Sequence, residues 1–344
     1  MDDLSAPYTA RPTPRMIVDL HTRLWTSTEQ LGRPVASQMR RRRVEAWDDH
    51  TADPEGHREA MEPVDRAIVL GFESKALGGQ ISHEQVASYV ARDPDKLLGF
   101  AGIDPKARDP VMSLDNALGL GLVGVVVSPA AAGFHPTDTR AMALFEACQE
   151  RRVPVLFESG ALLARDTRME FARPVLLDEV AREFPNLKII LGSCGDPWVD
   201  ECVALMAKHP TVYASIAGLV ARPWQLFNAL LAAHQLDTIG QVLFGSNYPH
   251  TTPEQAIKTI YSVNTLTQGT QLPSVPREQL RTIVERDTIK TLGLDQIRTQ
   301  PKAEAAQPDH EAESEPAGDD RSAADAEDSA PEADPKPQPQ EESA

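Results

Sequence analysis

The chain has 344 residues and a formal net charge of −17, with 41% hydrophobic and 25% charged residues. Such a composition can bury a sizeable core and sets the scale at one large α/β barrel or two ordinary domains. The acidic balance speaks against nucleic acid and anionic membranes as partners.

The charge is unevenly spread. Residues 301–344 hold 14 acidic and 3 basic side chains, which leaves −6 of the total for the first 300 residues. From 299 onward the sequence is mostly Pro, Ala, Glu and Asp with no aromatic residue. It lacks the apolar area that would offset ordering entropy, so 299–344 is expected to be a disordered acidic tail. Residues 1–14, Pro-rich and polar, read as a flexible N-terminal arm, and 15–298 as a single domain. Cys148, Cys194 and Cys202 form an odd, sparse set that suits reduced thiols in a cytoplasm better than a disulfide frame. No leader-like apolar run opens the sequence, and no run approaches the ~18 apolar residues that span a bilayer.

In chain order, the first apolar run, Ile17–Leu20, reads as a buried strand ending in Asp19-Leu-His21-Thr-Arg23. A long polar connection, 24–63, follows and carries Arg40-Arg41-Arg42-Arg43, a run expected to be a solvated face or a partner for the acidic tail. Val64–Phe72 is the second strand. Ser82-His-Glu-Gln85 forms a capping box for a helix to about Arg92. Leu97–Ile103 is a strand, a helix spans about 111–120, and Leu122–Val127 is the next strand. Asp138 caps a helix to about Arg152. Val153–Phe157 is a strand, with Pro154 at its first turn. Leu176–Phe184 is helical and Leu187–Leu191 a strand. Asp196-Pro197 opens a helix to about His209, with Pro at its first position. Val212–Ile216 is a strand, a helix lies near 223–235, and Gln241–Gly245 is the eighth strand. Thr252-Pro-Glu-Gln255 is a second capping box, and a last helix covers Arg277–Leu292. Strands that alternate with helices imply a parallel sheet. Eight of them in about 280 residues fit a closed (β/α)8 TIM barrel.

In such a barrel the carboxyl ends of the strands carry the chemistry. His21 and Arg23 end the first strand, two residues apart and so on one face. Ser128, Glu158, Ser193 and Asn247 end the fourth, fifth, sixth and eighth strands. Loops on the same side add His135, Asp196 and His250.

These motifs resemble the amidohydrolase-related family of metal-dependent hydrolases, which includes aminocarboxymuconate-semialdehyde decarboxylase and pyrone-dicarboxylate lactonase. The carriers are Val18-Asp-Leu-His-Thr-Arg23, Leu98-Gly-Phe-Ala-Gly-Ile-Asp-Pro105, Gly133-Phe-His-Pro-Thr-Asp138, Val153-Pro-Val-Leu-Phe-Glu-Ser-Gly160, Ile190-Leu-Gly-Ser-Cys-Gly-Asp-Pro-Trp198 and Val242-Leu-Phe-Gly-Ser-Asn-Tyr-Pro249. The resemblance covers roughly 15–294. It implies His-x-His at the first strand, where this chain has His21 and Arg23. It implies histidines where Glu158 and Ser193 stand, a frequent histidine at Ser128, and an aspartate at Asn247. Relatives are often dimers, so a homodimer is one arrangement the resemblance implies.

A catalytic divalent metal needs about three or four protein donors. Here the family's positions supply His21, Glu158 and at best an amide carbonyl, while Arg23 neither ligates nor deprotonates. The expectation is therefore no metal and no other cofactor. Arg23 and Glu158 are expected to converge as a bidentate ion pair in the vacated position, although Glu158 also reads as a solvated mouth carboxylate. Asp19 is expected to orient His21. Cys194 is a nucleophile only if a base stands beside it. Two functions stay open. One is a pseudoenzyme, a barrel kept for small-molecule binding or as a scaffold, which the number of lost ligand positions favours. The other is a metal-independent lactonase-like hydrolase or decarboxylase of a small carboxylated substrate, with Arg23 holding the anion and His21 or Glu158 doing acid–base work.

Overall fold

The computed structural model describes residues 15–41, 52–158 and 164–298. The N-terminal arm, the acidic tail, and Arg42 and Arg43 of the basic run lie outside them. Eight strands form one sheet: β1 Val18–Thr22, β2 Arg66–Leu70, β3 Leu97–Gly102, β4 Gly124–Val127, β5 Val155–Phe157, β6 Ile189–Leu191, β7 Val212–Ser215 and β8 Val242–Leu243. Each pairs in parallel with the next. The ring shuts where the chain leaves β8. Leu20 N–H donates to Phe244 O (3.1 Å), Asn247 N–H to His21 O (3.0 Å) and Arg23 N–H to Tyr248 O (3.0 Å). This is a TIM barrel, as the alternation implied; seven strands fall within the expected apolar runs, and β1 runs two residues past its own, to Thr22.

The strands are short, apolar and buried on both faces, as a parallel sheet lined by helices demands. Val, Ile and Leu dominate them, and Phe100, Phe145, Phe227 and Phe244 are among the largest fully buried side chains. Among the described residues, no helix is long and apolar enough to cross a membrane. All three cysteines are buried free thiols.

Several local expectations need correction. At Thr252 the capping box is complete, but at Ser82 only half of it forms. Gln85 instead accepts a bond from Gln30 Nε2 at 2.8 Å, tying the helix to the loop after β1. Asp138 precedes its helix without a side-chain cap, because its Oδ2 accepts the His135 N–H. Asp196-Pro197 does not open a helix: Ser193 and Cys194 take left-handed conformations in a 3-10 turn, and the helix begins at Val199. The last expected helix is two, Arg277–Val284 and Thr288–Leu292, with Asp287 capping the second. An antiparallel hairpin, Phe72–Ser74 with Gly79–Ile81, stands between β2 and its helix. Only its Gly78-Gly79 turn pair hinted at it.

The hairpin packs backbone to backbone on the end of β3. A Cβ built on Gly102 would lie 2.3 Å from Phe72 N and 2.5 Å from its Cα. Gly119, at a helix end, would meet nothing within 4 Å. We therefore expect Gly102→Ala to destabilise the fold by about 1–3 kcal/mol through overpacking. Gly119→Ala should stabilise it by roughly 0.5–1 kcal/mol. Urea denaturation of the two variants checks both signs.

Candidate active site

The carboxyl end of β1 does not continue in simple alternation. Its register with β2 slips by one residue between Asp19 and Thr22. Such a bulge re-aims the side chains that follow it. His21 and Arg23 still converge, and they do so on β5, the strand four places away in the ring of eight and so directly across the lumen. Arg23 Nη2 lies 2.7 Å from Glu158 Oε1, and His21 Nε2 lies 3.3 Å from the same oxygen. Ser128, at the end of β4, donates a long bond of 3.5 Å to Glu158 Oε2. The Glu158 side chain is only 8% exposed, His21's 7% and Arg23's 13%. Glu158 is thus a buried partner in an ion pair and not a solvated mouth carboxylate. The pair is held through one carboxylate oxygen rather than the expected two-pronged fork, since His21 shares that oxygen. The guanidinium also approaches Gly71 O at 3.5 Å and sits 5.8 Å from the centre of the Phe72 ring. Beside His21, a Cβ at Gly245 would fall 2.9 Å from His21 Cβ, so only glycine lets β8 pass so close.

The electrostatics follow from burial. Burial alone would raise the Glu158 carboxyl. The Arg23 charge and the hydrogen bonds from His21 and Arg23 outweigh it and hold the pKa down at about 2. His250 is pushed down to about 3, by burial first and then by the charges of Arg23 and His21, so its imidazole stays neutral. Asp19 is fully buried and raised to about 6 by burial, against hydrogen bonds from Ser246 and His21. Its Oδ1 accepts the backbone N–H groups of His21 (3.1 Å) and Ser246 (2.9 Å). Asp19 therefore positions the backbone of β1 and its neighbour. It makes no hydrogen bond to the His21 ring, against expectation, because its bonds go to these backbone N–H groups.

The remaining expected residues are placed differently. Asn247 joins through its backbone, at φ 67°, with its N–H on His21 O. Ser193 turns aside and accepts the Gly218 N–H at 3.1 Å. Asp196 pairs with Arg222 at 2.7 Å. His135 forms a separate turn, bonded to Thr137 Oγ1 at 2.8 Å and edge-on to Phe171. Cys194 is buried, and burial raises its thiol to about 12, which removes it as a nucleophile. Sequence reasoning overlooked His57. It is fully buried between Thr22 Oγ1 (2.9 Å) and Tyr89 Oη (2.8 Å), and burial lowers its pKa to about 4. The Asp53-Pro54 cap signalled its helix but not its inward direction.

A TIM barrel that gathers buried polar side chains at the carboxyl ends of β1, β4 and β5 keeps them where such barrels carry their chemistry. A family model described as amidohydrolase matches residues 18–288, and the chain belongs to that family. No curated protein matches it. Among solved structures it is similar to an uncharacterised TIM-barrel protein from Bordetella bronchiseptica, at 20% identity and TM-score 0.64, covering 81% of this chain and 98% of that one. It is also similar to a probable 2-pyrone-4,6-dicarboxylic acid hydrolase from Acinetobacter baumannii with citric acid bound, at 14% identity and TM-score 0.54 (80% and 99% covered). A third is a dihydroxybenzoic acid decarboxylase from Polaromonas sp. JS666 with bound manganese and the inhibitor 2-nitroresorcinol, at 16% identity and TM-score 0.54 (82% and 98%).

Among the described residues, those at the mouth do not fit a catalytic divalent ion. Among the described residues, no group of three or more His, Cys, Asp or Glu side chains could hold one. At the mouth, Glu158 Oε1 is already shared by His21 Nε2 and the Arg23 guanidinium.

Two measurements probe this electrostatic arrangement. Arg23→Gln should cost about 3–5 kcal/mol by leaving Glu158 buried and unpaired, and Glu158→Gln should do the same to Arg23. The double variant should recover part of that loss, giving a coupling energy of at least about 1 kcal/mol in a denaturation cycle. Asp19 has a folded pKa above its unfolded value, so its ionisation opposes folding as pH rises from about 4 to about 6. Between pH 4 and pH 7 the parent should lose roughly 2–3 kcal/mol relative to Asp19→Asn, since each pH unit separating the folded and unfolded pKa values is worth about 1.4 kcal/mol. Urea melts of both proteins across that range read the difference.

Proposed function

We propose that this amidohydrolase barrel binds a small molecule at its mouth without metal-assisted hydrolysis. The observation that carries this reading is the Arg23–Glu158 contact at 2.7 Å, with His21 on the same oxygen. A general base works best with a pKa near the operating pH. Glu158 at about 2 and His250 at about 3 lie far below it. Asn247 offers an amide that takes no proton at neutral pH. The decarboxylase from Polaromonas carries manganese. In this chain a fixed guanidinium, that of Arg23, stands against Glu158 at the mouth.

One observation supports a second reading, a metal-independent hydrolase or decarboxylase of a small carboxylated substrate. Burial is the largest influence on Glu158 and pushes its pKa up. Arg23 and His21 hold it down. A substrate carboxylate that drew Arg23 away would leave Glu158 a far stronger base, switched on by the substrate itself. His21 would then steer the proton.

Turnover separates the two. Protein purified without chelators is assayed against lactones, amides and carboxylated aromatic acids, with and without added manganese or zinc. The binding reading expects no turnover in either condition. Metal-free turnover that Glu158→Gln or His21→Ala abolishes would replace it with the second reading. Turnover only on metal addition, with stoichiometric uptake, would overturn both.

A further inference from the structure

Outside the barrel mouth, a cavity of about 570 Å³ opens between the helices Pro54–Ala60 and His83–Val90 and the start of β3. Its size falls within the ~300–1,000 Å³ of small-molecule sites. The lining has two parts. Met61, Tyr89 and Leu97 supply buried apolar surface, and Arg58, Arg92 and Lys96 supply cations. Three carboxylates also border the cavity, two of them as backbone caps. Asp53 Oδ1 accepts the Gly56 N–H at 2.7 Å and Asp93 Oδ1 the Lys96 N–H at 3.2 Å, both as backbone caps. Glu55 reaches Arg58 only at 3.9 Å, with both side chains largely exposed, a contact of little strength. Among the described residues, no carboxylate lies within ion-pair distance of Arg92 or Lys96. The Arg92 guanidinium stands 6.0 Å from the centre of the Tyr89 ring, where cation–π attraction holds it over the apolar surface.

We propose that this cavity is a second ligand site, separate from the barrel mouth, for a small carboxylic acid with an apolar body. The carboxylate meets Arg92 and Lys96, and the body lies on Met61, Tyr89 and Leu97. The site touches the barrel wall through its floor. Tyr89 Oη bonds His57 Nδ1 at 2.8 Å, and His57 Nε2 bonds Thr22 Oγ1 of β1 at 2.9 Å. A ligand pressed on Tyr89 therefore bears on the strand that carries His21 and Arg23.

Calorimetric titration of the full chain with hexanoate tests the site, with hexanamide as the uncharged isostere. Hexanoate should bind saturably at one site per chain, and hexanamide at least about tenfold more weakly, the worth of one ~1.4 kcal/mol contact. Arg92→Glu and Lys96→Glu, both at the surface, should each weaken hexanoate by a similar factor. The methyl resonance of Met61, labelled with carbon-13, should shift on saturation. No saturable binding, equal affinity for the amide, or indifference to both variants would overturn the proposal. So would binding that leaves the Met61 methyl unmoved, since the acid would then sit elsewhere.

Discussion

One contact across the lumen governs the site. Arg23, just past β1, and Glu158, just past β5, stand on opposite walls, and their charges meet at 2.7 Å. Neither is tolerable there alone, because a buried unpaired ion costs several kcal/mol in a low-dielectric interior. The pair therefore ties the two walls together at the carboxyl end of the barrel. Around it the other groups adjust: His21 shares the oxygen, Ser128 approaches the second one, and the Phe72 ring flanks the guanidinium.

The electrical result is a site at rest. Burial and the Arg23 charge act on Glu158 in opposite senses and the charge prevails, whereas on His250 both act downward. Both groups end far from neutrality, one as a fixed anion and one as a fixed neutral ring. The ionisation of these two groups is then insensitive to ordinary changes of pH. Only the removal of one partner, by mutation or by a competing anion, changes it substantially.

Much of this was legible in the sequence, for a physical reason. Strands buried on both faces must be apolar throughout, so runs such as Leu97–Gly102 and Gly124–Val127 announce themselves, and the residue after each run marks the working end. His21, Arg23 and Glu158 follow from that rule alone. The bulge in β1 does not, because a one-residue slip in register leaves no trace in composition, nor does the use of Asp19 Oδ1 for backbone N–H groups. The directions of Ser193 and His135 were equally hidden. Both are set by local turns in which a serine oxygen or an imidazole satisfies a nearby partner. His57 went unseen because its helix is polar and only the folded chain shows which side is covered.

The corner after β8 joins two tasks at a single residue. Asn247 adopts a left-handed conformation, and its amide N–H fastens that corner to β1. Asparagine and aspartate are the non-glycine residues that take this shape most readily. Exchanging one for the other therefore alters the charge at the rim while the seam remains sewn. The backbone join at this corner therefore does not depend on the charge of the side chain it carries.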